Sequence, residues 1–129
     1  MNNIFGIGTD IVDISRIRII FNKNKQFKKK IFSLSEIKYC ETKSNKAAFY
    51  SKRFAAKEAF VKALGTGISK GISFNEISII NNKNGAPTIQ LLGKTQTIVK
   101  KIIKKKSKIY LSLSDEKKYA LAMVVINCL

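Results

Sequence analysis

One stretch constrains the fold of this chain more than any other. From about Lys46 to Leu64 the residues favour helix, with no proline or glycine to interrupt them, and Gly65 stands at the C-cap position. A helix of that length runs about 28 Å, so the rest of a small domain must be built around it. At about 100° per residue, Phe54, Glu58 and Val61 fall within an arc of roughly 60°. An acid therefore sits on an apolar stripe. An i,i+4 pair with Lys62 is the ordinary explanation for an exposed glutamate, but it accounts poorly for this position.

A second acid is equally out of place. Gly6-Ile7-Gly8-Thr9-Asp10-Ile11-Val12 lies in a run, residues 4–12, that reads as a buried, glycine-punctuated strand. Aspartate is depleted in strands. The preceding Gly-x-Gly-Thr lets another backbone or a ligand approach closely. A turn or cap aspartate at a strand end is the plainer alternative. Two carboxylates, completed by water and phosphate oxygens, are a usual way to hold Mg²⁺. Asp10 and Glu58 would form such a pair only if the fold brings them together.

The chain has 8 acidic residues against 25 basic ones, a net charge of +17. Such a surface attracts polyanions: nucleic acid, acidic membranes, acidic proteins or phosphorylated cofactors. Nearly all the basicity is lysine, and much of it reflects a general bias toward Asn, Lys and Ile. Arginine occurs only at Arg16, Arg18 and Arg53, where its planar fork suits phosphate and carboxylate. There is no histidine, which removes histidine-based catalysis and the usual zinc sites. Cys40 and Cys128 form neither a metal motif nor a disulfide scaffold, so a reducing, cytoplasmic setting is expected. The N-terminal residues lack a signal-peptide pattern, and no apolar run is long enough to span a bilayer.

Asp13 offers an N-cap to a first helix carrying Ile14, Ile17 and Ile20. Residues 22–30 form a basic run, the end of that helix or an exposed loop. Ser33 to Glu36 has capping-box spacing and starts a short helix reaching about Thr42. The repeated Gly-Ile-Ser at 67–69 and 71–73 is too short for a structural repeat and reads as turns. Strands are expected over Phe74–Ile80 and Thr88–Leu92, joined by a turn at 81–85. A basic amphipathic helix over 94–106 turns Ile98 and Ile102 inward, with Val99 and Ile103 as further candidates. Strands Lys108–Ser114 and Tyr119–Ile126 close the chain. The expectation is one α+β domain, residues 1–129, with an antiparallel sheet of about five strands packed on a long central helix and shorter helices.

Arg53, Lys57 and Lys62 surround Glu58 in sequence. They are either a solvated basic face or a phosphate clamp, with Gly65-Thr66-Gly67 allowing close backbone approach. The turn Lys83-Asn84-Gly85-Ala86-Pro87 holds the only proline. It is a hairpin turn that could also wall a nucleotide pocket.

Taken together, these segments resemble the holo-acyl-carrier-protein synthases, the small bacterial type of 4′-phosphopantetheinyl transferase. Gly6 to Ile14 with Arg16-Ile17 resembles the first signature of that family. Arg53-Phe54-Ala55-Ala56-Lys57-Glu58-Ala59 with Lys62-Ala63-Leu64-Gly65-Thr66-Gly67-Ile68 resembles the second. Asn84-Gly85-Ala86-Pro87 resembles a third, and Leu111 to Asp115 with Tyr119-Ala120 a fourth.

The resemblance implies transfer of the phosphopantetheine arm of coenzyme A to a serine of apo acyl carrier protein, in fatty acid biosynthesis, with release of adenosine 3′,5′-bisphosphate. It implies Mg²⁺ at Asp10 and Glu58 and a catalytic set of Asp10, Glu58 and Lys62, with Lys62 on the pyrophosphate or assisting proton transfer. Arg53 would lie near the 3′-phosphate, and Lys57, Lys62, Gly65 and Thr66 along the coenzyme. Gly85 and Pro87 would line its adenosine end. Arg16, Arg18, Lys23 and Lys25 would face the acidic carrier protein. A homotrimer with active sites at subunit boundaries is implied, with no membrane and no specific nucleic acid as partner.

One position departs from the family pattern. Where many members have histidine after the Ser-x-Ser strand, this chain has Asp115, followed by Glu116. The serine proton must then go to Glu58, to water beside the metal, or to another carboxylate. The competing expectation is a basic, non-enzymatic nucleic-acid binder. It fits the charge but leaves Asp10 and Glu58 unexplained, and the aromatics are not interleaved with the basic runs.

Overall fold

The computed structural model describes residues 3–67 and 71–129. Met1, Asn2 and part of the first Gly-Ile-Ser, Ile68 and Ser69, lie outside the described residues. The chain runs β1 (Ile4–Asp13), α1 (Ile14–Lys23), α2 (Phe27–Ile31), α3 (Leu34–Glu41), α4 (Lys46–Leu64), β2 (Ile77–Asn81), β3 (Pro87–Leu91), α5 (Gly93–Ile103), β4 (Ser107–Asp115) and β5 (Tyr119–Cys128). The five strands are all antiparallel. They divide into a three-stranded sheet, β1-β5-β4, and a separate hairpin, β2-β3.

Helix α4 is the centre of the molecule and packs on β1 and β5. Ala55, Ala56, Ala59 and Phe60 are fully buried along it, and apolar residues surround it on nearly every side, as suits a helix enclosed by other elements. It ends where Gly65 adopts φ 80°, a left-handed cap that glycine enters without a side-chain clash. Its partner strand β5 alternates strictly: Ala120, Ala122, Val124 and Ile126 are buried against α4, while Tyr119, Leu121 and Met123 face outward.

Capping follows the expected chemistry. The Asp13 side chain accepts the Ser15 backbone N–H at 2.9 Å and starts α1. The basic run at 22–30 divides between the end of α1 and the short α2. Ser33 and Glu36 form a reciprocal capping box on α3.

Two elements differ from expectation for one reason. Phe74–Glu76 is a 3₁₀ turn, so β2 begins only at Ile77. In α5 the buried residues are Thr95, Val99 and Ile103, while Ile98 and Ile102 are half-buried. The Thr95 hydroxyl donates to Glu76 Oε1 at 2.9 Å and accepts the Ser73 N–H at 2.9 Å. That polar tie between the 3₁₀ turn and the helix sets the rotation of α5. Apolar periodicity alone cannot register it.

Candidate active site

The contact between β1 and α4 builds the site. A side chain at Gly6 would place its Cβ 1.9 Å from the Ala63 carbonyl oxygen. At Gly8 the distance to the Ala59 carbonyl oxygen would be 2.0 Å. Neither position has room for any other residue, so β1 lies directly on the helix backbone. The glycines serve this close approach of strand to helix.

Asp10 follows Gly8 by two residues, the period that returns a strand to the same face. It therefore arrives beside the next turn of α4. Its Oδ1 accepts from Lys62 Nζ at 3.2 Å, and the same ammonium donates to the Thr9 carbonyl at 2.9 Å. Glu58 stands within electrostatic reach. Partial burial pushes its carboxyl above the usual range, the Asp10 charge pushes it further, and Lys62 partly offsets both. Two like charges are thus held within reach of each other, with the Lys62 ammonium bound to one of them.

Glu58 also lines a cleft of about 490 Å³ whose wall is apolar: Phe27, Ile31, Phe54 and Phe74. Lys30 stands at its edge. At the end of α4, Gly65 is exposed, and nothing lies within 4 Å of where its Cβ would be. Thr66 follows it, its hydroxyl donating to the Gly67 carbonyl at 3.2 Å.

Lys57 does not join this group. The expectation that it clamps a phosphate beside Glu58 is corrected by its burial. Its side chain is fully enclosed, and Nζ donates to Glu36 Oε1 at 2.6 Å, to the Phe74 carbonyl at 2.9 Å and to the Ile77 carbonyl. Burial lowers its pKa to about 8, against the pull of Glu36. Glu36 Oε2 accepts the Ile79 N–H at 3.1 Å. The pair is an internal tie of α3, α4 and β2. The capping-box spacing pointed to Glu36 only as a cap, and no local pattern marks its link to Lys57.

Arg53 lies elsewhere again. It is five residues from Glu58, about 140° around the helix. Only 3% exposed, it stacks its guanidinium 4.4 Å from the Tyr39 ring centre and donates to Asn81 Oδ1 at 3.3 Å. Among the described residues its Nε has no partner. Asn81 pairs with Pro87 across the β2–β3 ladder, so Arg53 belongs with Pro87 and the hairpin turn containing Gly85. Near this face Lys52 sits 4.2 Å over the Phe49 ring and binds Asp115 at 3.2 Å. Asp115 is thus engaged by a lysine, while Glu116 accepts the Lys118 N–H inside the β4–β5 turn.

The expected coenzyme contacts therefore fall into two groups in one chain. Asp10, Glu58, Lys62, Gly65 and Thr66 lie along one side and end of α4. Arg53, Gly85 and Pro87 lie on another side. Arg16, Arg18, Lys23 and Lys25 are all exposed on or just after α1, with Ile19 half exposed among them. Sequence reasoning missed the Tyr39 ring against Arg53, because Tyr39 is brought to it by a different helix, α3.

Among the described residues no cluster of three or more Asp, Glu, Cys or His side chains could enclose a metal. A two-carboxylate set such as Asp10 and Glu58 suits an ion that keeps water and substrate oxygens as its remaining ligands. The like-charge pressure on Glu58 is relieved by any cation placed there.

Residues 6–124 match a family model described as the 4'-phosphopantetheinyl transferase superfamily. The holo-[acyl-carrier-protein] synthase of Pelagibacter ubique is 48% identical over 129 residues, covering 96% of this chain and 97% of that protein. The crystal structure of the corresponding synthase from Neisseria meningitidis superposes with a TM-score of 0.86 at 36% identity, covering 96% of this chain and 98% of that one. A holo-(acyl-carrier-protein) synthase from Bacillus anthracis, solved in complex with CoA (3',5'-ADP), gives a TM-score of 0.80 at 32% identity, covering 98% and 99%.

Proposed function

This chain belongs to the 4'-phosphopantetheinyl transferase superfamily, and we propose that the Asp10–Glu58–Lys62 cleft is where its transfer takes place. The chain acts as a holo-[acyl-carrier-protein] synthase: it moves the 4′-phosphopantetheine arm of coenzyme A to a serine of apo acyl carrier protein and releases adenosine 3′,5′-bisphosphate. The nucleic-acid-binding alternative gains no support from its relatives. The observation that carries the site assignment is the β1–α4 contact, which brings Asp10 to Glu58 and Lys62, far from it in sequence.

Asp10 and Glu58 are the residues that would hold Mg²⁺. When bound, the ion supplies positive charge against the pyrophosphate. The rest falls to the chain. Lys62, exposed and tethered by Asp10, presents a mobile ammonium to the β-phosphate oxygens. The carrier serine oxygen attacks the β-phosphorus, and the bond from that phosphorus to the oxygen of adenosine 3′,5′-bisphosphate breaks. The chain has no histidine to take the serine proton, so the proton goes to Glu58, to water or to another carboxylate at this site, while Asp10 is engaged by Lys62. The apolar cleft beside Glu58 accommodates the pantetheine chain.

Arg53 takes the 3′-phosphate. A buried guanidinium with an unpartnered Nε is a site prepared for an anion. Because Arg53 and the hairpin face away from Glu58, one coenzyme molecule reaches both groups when they come from two copies of the chain. The outer face of β1-β5-β4 provides the surface for that association. It exposes Ile7, Ile11, Leu121 and Met123 by 42–62%, which supports association of copies, here read as a homotrimer with sites at the subunit boundaries. Arg16, Arg18, Lys23 and Lys25, flanking Ile19, dock the acidic carrier protein.

The test is a mass measurement on apo carrier protein incubated with coenzyme A, Mg²⁺ and the chain. The carrier gains the mass of one phosphopantetheine arm. Asp10→Ala and Glu58→Ala each lower the rate by at least about 100-fold while keeping the wild-type fold by circular dichroism. Wild-type rates in both variants across a Mg²⁺ titration would rule out the two-carboxylate site.

A further inference from the structure

A second cavity lies away from the transfer site, between α5, β3 and the start of β4. It measures about 510 Å³, within the range of small-molecule pockets. Its floor is apolar. Val99 and Ile103 of α5 are buried there, and Ile89 and Leu91 of β3 and Ile109 of β4 are half-buried around them. The cavity exists because β3 and β4 run side by side without a ladder between them, leaving the two sheets parted at this end.

The rim is entirely cationic where it is charged. Lys100, Lys104, Lys105 and Lys106 surround the opening, and no acid lines it. Among the described residues none of these four lysines has a carboxylate partner, whereas Lys28, Lys46, Lys52, Lys57 and Lys62 all do. The C-terminal end of α5 favours nearby cations only within its last turn, which accounts for Lys100 and Lys104 but not for the two lysines beyond. Lys104 itself holds φ 66°, a left-handed conformation in which glycine would be the ordinary choice.

We propose that this cavity binds a medium-chain fatty carboxylate, its alkyl chain on the Val99–Ile103 floor and its carboxylate among the lysine ammonium groups. An apolar floor under an unpaired cationic rim is complementary to one class of small molecule, a single-chain amphiphile with an anionic head. Lysine ammonium groups are point charges that pair with a carboxylate without the planar fork of an arginine. None of Asp10, Glu58, Lys62 or Arg53 lines the cavity, so the inference stands or falls independently of the transfer reading.

Calorimetric titration of the full chain with sodium decanoate, below its micelle concentration, tests this. One saturable site per chain is expected, weakened by added salt. Decanol, which has the chain without the charge, binds at least about tenfold more weakly, and acetate shows no binding. Leu91→Trp, which fills the cavity, and the exposed double variant Lys100→Glu/Lys104→Glu each weaken decanoate at least about tenfold, with the thermal midpoint of the double variant unchanged. Should Leu91→Trp fail to fold, the surface variant carries the comparison. The proposal is overturned by absence of saturable decanoate binding, by wild-type affinity in the double variant, or by binding only to phosphatidylglycerol vesicles, which would make α5 a membrane-surface helix instead.

Discussion

Glu58 and Glu41 show how differently two glutamates behave within one small domain. Glu58 is held above its usual pKa range by burial and by Asp10, so its charged form is disfavoured until something cationic arrives. Glu41 is the reverse. The Tyr50 hydroxyl donates to it at 2.7 Å, and Lys28 and Lys46 bind it at 3.0 and 3.1 Å. Those contacts, Tyr50 first, lower its pKa from 4.5 to about 2. A carboxyl depressed on folding stabilises the protein above its unfolded pKa, and that stabilisation is lost as pH falls from 4.5 toward 2. Glu41 is more than a third exposed, so screening limits the effect to about 1 kcal/mol. Urea unfolding of Glu41→Gln is expected to show that loss at pH 7 and little difference from wild type near pH 2. Equal stability at both pH values would show that the cluster contributes nothing.

At the scale of elements, the β1–α4 contact and the Lys57–Glu36 tie do separate work. Gly8→Ala forces a Cβ to within 2.0 Å of the Ala59 carbonyl. The strand must lift from the helix at a cost of about 3 kcal/mol, and Asp10 moves away from Glu58 with it. Chemical denaturation and the transfer assay should therefore fall together; an active, fully stable Gly8→Ala protein would sink the account of why the glycines are there. Lys57→Met tests the other element. Removing one member of a buried ion pair costs about 3–5 kcal/mol, so its thermal midpoint drops sharply. The surviving folded protein is expected to keep its KM for coenzyme A, because the Lys57 ammonium is enclosed by Glu36 and the Phe74 and Ile77 carbonyls. A raised KM with unchanged stability would restore Lys57 to the coenzyme site.

The whole molecule is one layer short of complete. A sheet whose outer face exposes Ile7, Ile11, Leu121 and Met123 together is unusual for a monomer, where contiguous apolar patches are small. Met123 lies on β5, the middle strand, opposite Thr9 and Ser112. Met123→Glu places a charge at the centre of that face. Light scattering should show a trimer for the wild type and a monomer for the variant, and on the proposed two-copy site transfer should be lost in the monomer. An active monomer would separate association from catalysis.

Much of this was legible in the residues themselves. Helix α4 begins and ends where its composition and Gly65 put it, the α3 capping box forms as spaced, and all five strands are found. These are local matters: hydrogen bonds within four residues and side chains alternating at a fixed period decide them, and neighbouring residues carry that information. The rotation of α5 was decided by Thr95 and Glu76, and the fate of Lys57 by Glu36. The gathering of Asp10 with Glu58 was decided by two glycines meeting carbonyls on a distant helix. In each case the deciding partner is remote in sequence. Two residues placed out of pattern can be recognised from the chain alone. That they meet is settled only when backbone packs on backbone, because closeness in space depends on which surfaces have room for each other.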